Sequence, residues 1–126
     1  MNTLQLERLG KSLIGPSFIG VYAADQVPER WLTRGRHTYN FIVNNQTKNL
    51  PGQHWIGVSI KKGGDEAFIF DPLGFPPSKM LANLLNKIMG VRRISYNTKQ
   101  IQNVSKKNCG QLVLLYLIFS SSKKRL

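Results

Sequence analysis

The stretch HWIGVSIKKGGDEAFIFD, from His54 to Asp71, decides the fold that this sequence predicts. Its first half alternates in the way that is typical of a half-buried strand. The residues that share its apolar face are Ile56, Val58 and Ile60, and those on the other face are Trp55, Gly57 and Ser59. The glycine-rich run 61–65 predicts a turn, after which residues 67–70 form a returning strand. The sequence therefore predicts a β-hairpin.

The hairpin brings two polar residues together at its open end. If Ile60 faces Ala67 across the turn, residue 54 pairs near residue 73, so that His54 lies close to Asp71. A carboxylate beside an imidazole can orient it as a general base. Two ordinary alternatives remain open. Asp71 precedes Pro72, and Asp-Pro pairs initiate turns, while a lone histidine is more often a surface or hydrogen-bonded group.

The other predicted elements surround this hairpin. Leucines at helical spacing predict a helix over Thr3–Leu13, and a second helix runs from a Ser78 N-cap to Gly90. Short strands are predicted at 17–22, 39–43 and 91–96, a polar loop at 99–107, and a basic tail at about 120–126. Residues 110–119 are apolar all round, which fits a buried strand or, given their length, a buried helix. Helices and strands mixed in this order predict the α+β class.

Length and composition place limits on the function. A chain of 126 residues with 41% hydrophobic residues predicts one compact domain over 1–126. The longest apolar stretch, Leu112–Phe119, is too short for a membrane span, and the N-terminus does not have the pattern of a secretory signal. With Cys109 as the single cysteine, we expect no internal disulfide, no cysteine-type metal site and a reducing compartment.

Positive charge is concentrated in the second half of the chain. The 18 basic and 6 acidic residues give a net charge of +12, and residues 72–126 hold 10 basic residues and no acidic one. Such a surface attracts polyanions, of which nucleic acid is the expected one. The candidate contacts are Arg92, Arg93, Lys99, Lys106 and Lys107. The alternative is a basic protein whose charge serves only solubility.

Cys109 lies between the polar loop and the apolar segment, which predicts that it occupies the first turn of a helix. The positive end of a helix and nearby lysines lower the pKa of a thiol, and Gly110 would leave space for a substrate. The alternative is an inert cysteine packed as a small hydrophobic residue. A cysteine nucleophile needs an imidazole base. His37 lies among cations that oppose its protonation, so His54 is the better candidate.

Four motifs give the chain a resemblance to a known family. They are GPSFIGVY at 15–22, GQHW at 52–55, FDPLGF at 70–75, and Gln102 followed by NCG at 108–110. In their order and spacing these motifs resemble those of the adenovirus maturation proteases and their relatives in virus-like elements. The order is histidine, acid, glutamine, cysteine, with 17 residues from His54 to Asp71 and 7 from Gln102 to Cys109. The resemblance extends from about Leu4 to about Phe119.

This resemblance implies a papain-like cysteine endopeptidase whose mixed sheet packs against a buried helix that carries the nucleophile. Cys109 would be the nucleophile, His54 the base, Asp71 the orienting carboxylate and Gln102 the side-chain donor of the oxyanion hole. Trp55 would shield the imidazole from water or would simply be a core residue. The resemblance implies no metal or other required cofactor. It implies protein precursors cut beside glycine, DNA as a sequence-independent partner and activator, and a location in the virion and the host nucleus.

The chain also departs from the family pattern. Asp71 stands where the adenovirus branch has glutamate, although aspartate is usual in the related SUMO-specific proteases. The family's peptide activator is tethered to a second cysteine that this chain lacks, which leaves only a non-covalent activating peptide. The family continues beyond the nucleophile helix, so parts of the cleft walls or of a DNA-contacting surface are expected to be missing. A protease for ubiquitin-like modifiers and a non-catalytic DNA-binding module remain alternatives.

Overall fold

The predicted hairpin forms the middle of a five-stranded mixed sheet. The computed structural model describes residues 2–23, 26–27, 39–44, 54–61, 65–88, 90–101 and 108–123. The strands are β1 Phe18–Ala23, β2 Tyr39–Asn44, β3 Trp55–Ile60, β4 Glu66–Phe70 and β5 Arg93–Tyr96. They are arranged in sequence order. The two outer pairs, β1 with β2 and β4 with β5, are parallel, and the inner pairs are antiparallel.

The register of the hairpin confirms the sequence prediction. Ile60 is opposite Ala67 and Gly57 is opposite Phe70, so the same register places residue 54 near residue 73. The backbone N–H of Lys61 donates to the carbonyl of Glu66 at 2.9 Å and closes the ladder next to the turn. Residues 62–64 of the predicted turn lie outside the described residues. The open end of the hairpin is thus where the sequence placed it.

Within the described residues, three α-helices accompany the sheet, and local capping marks the starts of the first two. Helix α1, Thr3–Leu13, begins at Asn2 with a reciprocal capping box to Gln5. Helix α2, Lys79–Asn83, begins after Ser78, whose hydroxyl accepts from the Leu81 N–H at 3.2 Å. It continues as a π-helical turn over Leu84–Ile88, which the apolar spacing did not reveal. Helix α3 covers Cys109–Lys123.

The prediction of a basic tail at about 120–126 places the start of the tail too early in the chain. Residues 120–123 belong to α3, and residues 124–126 lie outside the described residues. Tyr116 and Ser120, one turn apart in α3, form a side-chain hydrogen bond. The three consecutive serines therefore do not end this helix.

The sheet separates two apolar clusters. One cluster lies between the sheet and α2, and includes Ile56, Val58, Ile60, Leu81 and Leu85. The other lies between the sheet and helices α1 and α3, and includes Leu6, Ile42, Trp55, Val113 and Leu117. The alternation along β3 therefore divides as predicted, with the β-branched residues facing α2 and Trp55 facing α3.

Helix α3 packs very closely on the sheet. A Cβ atom added to Gly57 would lie 2.9 Å from Cγ1 of Val113, so the missing side chain permits this approach. The ring of Tyr116 stacks on Phe70 with a centroid distance of 4.5 Å. These contacts fix the start of α3, and with it Cys109, relative to β3 and β4.

The outer side of α3 departs from the prediction of a helix buried all round. Leu115 and Phe119 are 61% and 62% exposed, whereas Val113 and Leu117 are fully buried. An apolar sequence therefore identifies the helix but does not show how many of its sides are covered. Within the described ranges, no helix is long and apolar enough to cross a membrane.

Candidate active site

Three elements meet at one end of the sheet, and each contributes one polar side chain. His54 directly precedes β3, Asp71 directly follows β4, and Cys109 is the first residue of α3. Both Cys109 and Asp71 are only 2% exposed. The antiparallel pairing of β3 and β4 brings the first two together, and the close packing of α3 on β3 brings the third.

The His54 imidazole and the Asp71 carboxylate are in direct contact. Nε2 of His54 lies 2.8 Å from Oδ1 of Asp71, and 23% of the histidine side chain is exposed. The Nε2–H is not aimed closely enough at this oxygen for an ideal hydrogen bond, so the contact is best described as a close ion pair. The same Oδ1 accepts from the backbone N–H of Leu73 at 2.8 Å. Asp71 is therefore both the turn initiator and the partner of His54, and the two interpretations of the sequence are compatible.

The imidazole is biased towards its charged form. The close contact with Asp71 and then the interaction with Cys109 raise the pKa of His54 to about 9, although partial burial opposes the shift. Because Nε2 faces Asp71, Nδ1 is left to face the thiol. An imidazolium at neutral pH is the protonation state that can later give a proton to a leaving group.

The thiol is biased towards its anion. Burial alone raises the pKa of Cys109, but the hydrogen bond with His54 and backbone hydrogen bonds from Trp55 and Gly110 outweigh it. The net pKa of Cys109 lies below the usual value. The position at the start of α3 acts in the same direction, since a helix N-terminus carries partial positive charge. The pair therefore favours a thiolate beside an imidazolium, the reactive form of a cysteine nucleophile.

These two shifts predict a bell-shaped dependence of activity on pH. Activity should increase with pH as the thiolate forms, at a pH below the ordinary thiol pKa of about 8.5. It should decrease again near pH 9, where His54 loses its proton. The two limbs belong to the coupled pair rather than to either residue. Measuring kcat/KM from pH 4 to 10 checks this, and activity that continues to increase through pH 9 would contradict it.

Trp55 and Gly110 are core residues of the site. Trp55 is 2% exposed and belongs to the apolar cluster under α3. A Cβ atom at Gly110 would lie 3.0 Å from Cδ1 of Trp55 and 3.3 Å from Leu6. The space beside Gly110 is thus filled by Trp55, and the sequence interpretation that it admits a substrate is wrong. Its absent side chain lets α3 begin close to β3.

The remaining candidates are placed elsewhere or are not described. Gln102, Lys106, Lys107 and His37 lie outside the described residues. Arg92 and Arg93 are exposed at the end of the sheet opposite the site, where their backbone N–H groups donate to Asp65. The Arg93 guanidinium lies 2.8 Å from Oε1 of Glu66. Lys99 is exposed, nearer the site, in the segment after β5.

Sequence reasoning missed Asn97, which contacts the backbone of Asp71. Because β4 and β5 are parallel, the residues that follow them emerge at the same edge of the sheet. Asn97 follows β5 as Asp71 follows β4, but their contact depends on the parallel pairing of these strands, which no local sequence pattern signals. No group of three or more histidine, cysteine or acidic residues suited to a metal ion occurs within the described ranges.

Comparisons with known proteins identify the family and the fold of this chain. A sequence model of the adenovirus endoprotease family matches residues 18–123. A crystal structure of the ASFV pS273R protease is similar with a TM-score of 0.65 and 16% identity, over 97% of this chain and 57% of that one. A selenomethionine crystal structure of the ASFV pS273R protease is similar with a TM-score of 0.58 and 17% identity, over 68% of this chain and 35% of that one. At such identity the likeness concerns the fold, and the chain spans little more than half of that protease. No curated protein matches the sequence.

Proposed function

Because this chain belongs to the adenovirus endoprotease family, a family of cysteine peptidases, we propose that it is a cysteine endopeptidase that cleaves protein precursors during virion maturation. The observation that carries the proposal is the convergence of Cys109, His54 and Asp71 on one buried site. A nucleophile, a base and an orienting carboxylate are the groups that acyl transfer requires. A non-catalytic DNA-binding module has no use for a charged pair at this place.

The reaction starts with attack of the Cys109 thiolate on the carbonyl carbon of a peptide bond. The carbonyl oxygen becomes an oxyanion, which the Cys109 backbone N–H and the Gln102 carboxamide stabilise by hydrogen bonds. The C–N bond then breaks, His54 gives its proton to the leaving amine, and a thioester remains on Cys109. Water, deprotonated by the now neutral His54, attacks the thioester. Release of the carboxylic acid restores the thiolate and the imidazolium.

Asp71 takes no proton in this sequence. Its carboxylate holds Nε2 of His54 at 2.8 Å, so the other ring nitrogen keeps facing Cys109. It also stabilises the imidazolium that is present before attack and lost when the amine leaves. The backbone N–H of Leu73 donates a hydrogen bond to this carboxylate and helps to hold it in place.

The substrate and the setting are proposed from the family. We expect cleavage beside glycine in precursor proteins, as the resemblance to the family implies. The virion and the nucleus of the infected cell are the expected locations. A peptide activator, if the enzyme uses one, binds without a disulfide, since Cys109 is the only cysteine and is the nucleophile.

A cleavage assay tests the proposed function. The chain is incubated with a mixture of peptides, and the cut bonds are identified by mass spectrometry. We expect cuts beside glycine that pretreatment with iodoacetamide abolishes. Cleavage that survives complete alkylation of Cys109 would refute the cysteine mechanism. A parallel assay uses precursors of ubiquitin-like modifiers, which are the alternative substrates. Selective cleavage of those precursors would show that they, and not virion proteins, are the substrates.

DNA is proposed as a partner and activator, supported by the charge of +12. Binding should be independent of sequence, and the logarithm of the affinity should fall by about 0.9 per neutralised phosphate for each unit of log salt. Arg92→Ala should make this slope shallower by about 1. Arg93→Ala is the matched control and should have a smaller effect, because Glu66 already neutralises this guanidinium.

Fluorescence anisotropy with duplex DNA measures these slopes, and a parallel cleavage assay measures activation. Alanine substitutions at Lys99, Lys106 and Lys107 test the remaining candidate contacts with DNA. Absence of binding at about 50 mM salt would refute DNA as a partner. Binding without faster cleavage would refute only activation. If Arg93→Ala changes the slope more than Arg92→Ala, the basic surface is arranged differently from this account.

A further inference from the structure

Asn97 binds the backbone of Asp71 through both atoms of its side-chain amide. Its Oδ1 accepts from the Asp71 N–H at 2.8 Å, and its Nδ2 donates to the Asp71 carbonyl at 2.6 Å. The reverse orientation of the amide would place N–H against N–H and oxygen against oxygen. The side chain therefore has one favourable orientation, and it holds the backbone of Asp71 at both its N–H and its carbonyl.

This amide takes the place of a missing strand neighbour. The parallel pairing of β4 and β5 ends where Ile69 is opposite Tyr96, so the backbone of Asp71 lies just beyond the regular ladder. The Asn97 amide satisfies groups that a further pair of residues would otherwise have bonded. Leaving half-buried polar groups without hydrogen-bond partners destabilises the folded state.

The surrounding segments are joined by further contacts. Nδ2 of Asn97 also donates to the carbonyl of Lys99 at 3.2 Å. The Ile101 N–H donates to the carbonyl of Pro72 at 2.9 Å. At Gly74, where φ is +73°, an added Cβ would lie 2.8 Å from the Thr98 carbonyl oxygen. Residues 97–101 and 71–74 thus form one bonded unit.

We infer that Asn97 is a positioning residue, which fixes the Asp71 carboxylate against Nε2 of His54. The inference rests on the proposed function, because it assigns Asn97 a role only if Asp71 orients the base. A carboxylate on a freely moving turn would spend part of its time away from the imidazole. Misplacement of a catalytic group by about 1 Å is sufficient to cost about 10²-fold in rate.

The test compares Asn97→Ala with wild type in the full chain. We expect kcat to decrease about 10–10²-fold, with KM changed less than about twofold, because Asn97 does not touch the substrate. The alkaline limb of the pH profile should move to lower pH, since a displaced Asp71 stabilises the imidazolium less. Asn83→Ala, the same substitution at an exposed position of α2, should leave kcat and the pH profile unchanged.

A second variant and a double mutant separate positioning from folding. Asn97→Ser keeps a polar group that is too short to reach both the N–H and the carbonyl of Asp71, so it should reproduce the kinetic loss while circular dichroism stays that of the wild type. In an Asp71→Asn background, Asn97→Ala should cost little further activity, because the group that it positions is already lost. Equal losses in both backgrounds, an unmoved pH profile, or failure of both Asn97 variants to fold would overturn the inference.

The same set of variants distinguishes this inference from the proposed function. If Asp71→Asn retains full activity, the carboxylate has no catalytic role and the proposed function fails in that part. If Asp71→Asn is impaired while Asn97→Ala behaves as wild type, the proposed function stands and only the inference is overturned.

Discussion

Cys109→Ala is expected to abolish peptide cleavage, with a decrease in kcat of at least about 10⁴-fold. The thiolate supplies the bond-forming electron pair, and no other thiol is present in the chain to replace it. The fold should persist, because alanine fills most of the volume of this buried side chain. Initial rates of peptide cleavage, measured with the thermal unfolding midpoint of the same sample, check both parts.

Cys109→Ser is the companion variant, since it changes one atom and retains a nucleophile of much higher pKa. It should be nearly as inactive as the alanine variant, because His54 is arranged for a thiolate that already exists in the resting enzyme. Wild-type cleavage by either folded variant would end the assignment of Cys109 as nucleophile.

His54→Ala is expected to cause a loss of similar size, at least about 10⁴-fold in kcat. The substitution removes the proton donor for the leaving amine and the cation that stabilises the thiolate. Asp71→Asn should cause a loss in kcat that is smaller than either of these losses by about 10–10²-fold, because the imidazole is still present. Gln102→Ala should lower turnover by about 10²–10³-fold.

The order of these losses is itself informative. Residues that act as one unit are not additive, so the double variant of Cys109 and His54 should be no less active than the worse single variant. If the two losses instead multiply, the residues act independently and the ion pair has no catalytic role. A His37→Ala variant serves as the control for removal of an imidazole, and it should retain wild-type activity.

Much of the fold could be predicted from local sequence. The alternation along β3 and the Ser78 cap are local patterns, and the structure confirms the strand and the helix start that they predict. The contact of His54 with Asp71 followed from the hairpin register alone. Cys109 at the start of α3 followed from the change between a polar and an apolar segment.

What sequence reasoning missed depends on contacts between elements that are distant in the chain. Asn97 contacts Asp71 only because β5 pairs in parallel with β4, and no local pattern encodes that pairing. The sequence predicts free space beside Gly110, whereas Trp55 fills that space in the fold. The exposure of Leu115 and Phe119 likewise depends on which sides of α3 other elements cover.

The most direct test of the central claim, a thiolate paired with the His54 imidazolium, is the rate of alkylation of Cys109 by iodoacetamide at pH 6–7. A paired thiolate reacts rapidly in this range, where an ordinary thiol with a pKa of about 8.5 is almost entirely protonated. We expect rapid alkylation in the wild type and a rate lower by at least about tenfold in folded His54→Ala. Equal rates in the two proteins would contradict the account, as would a wild-type thiol that reacts only above its ordinary pKa.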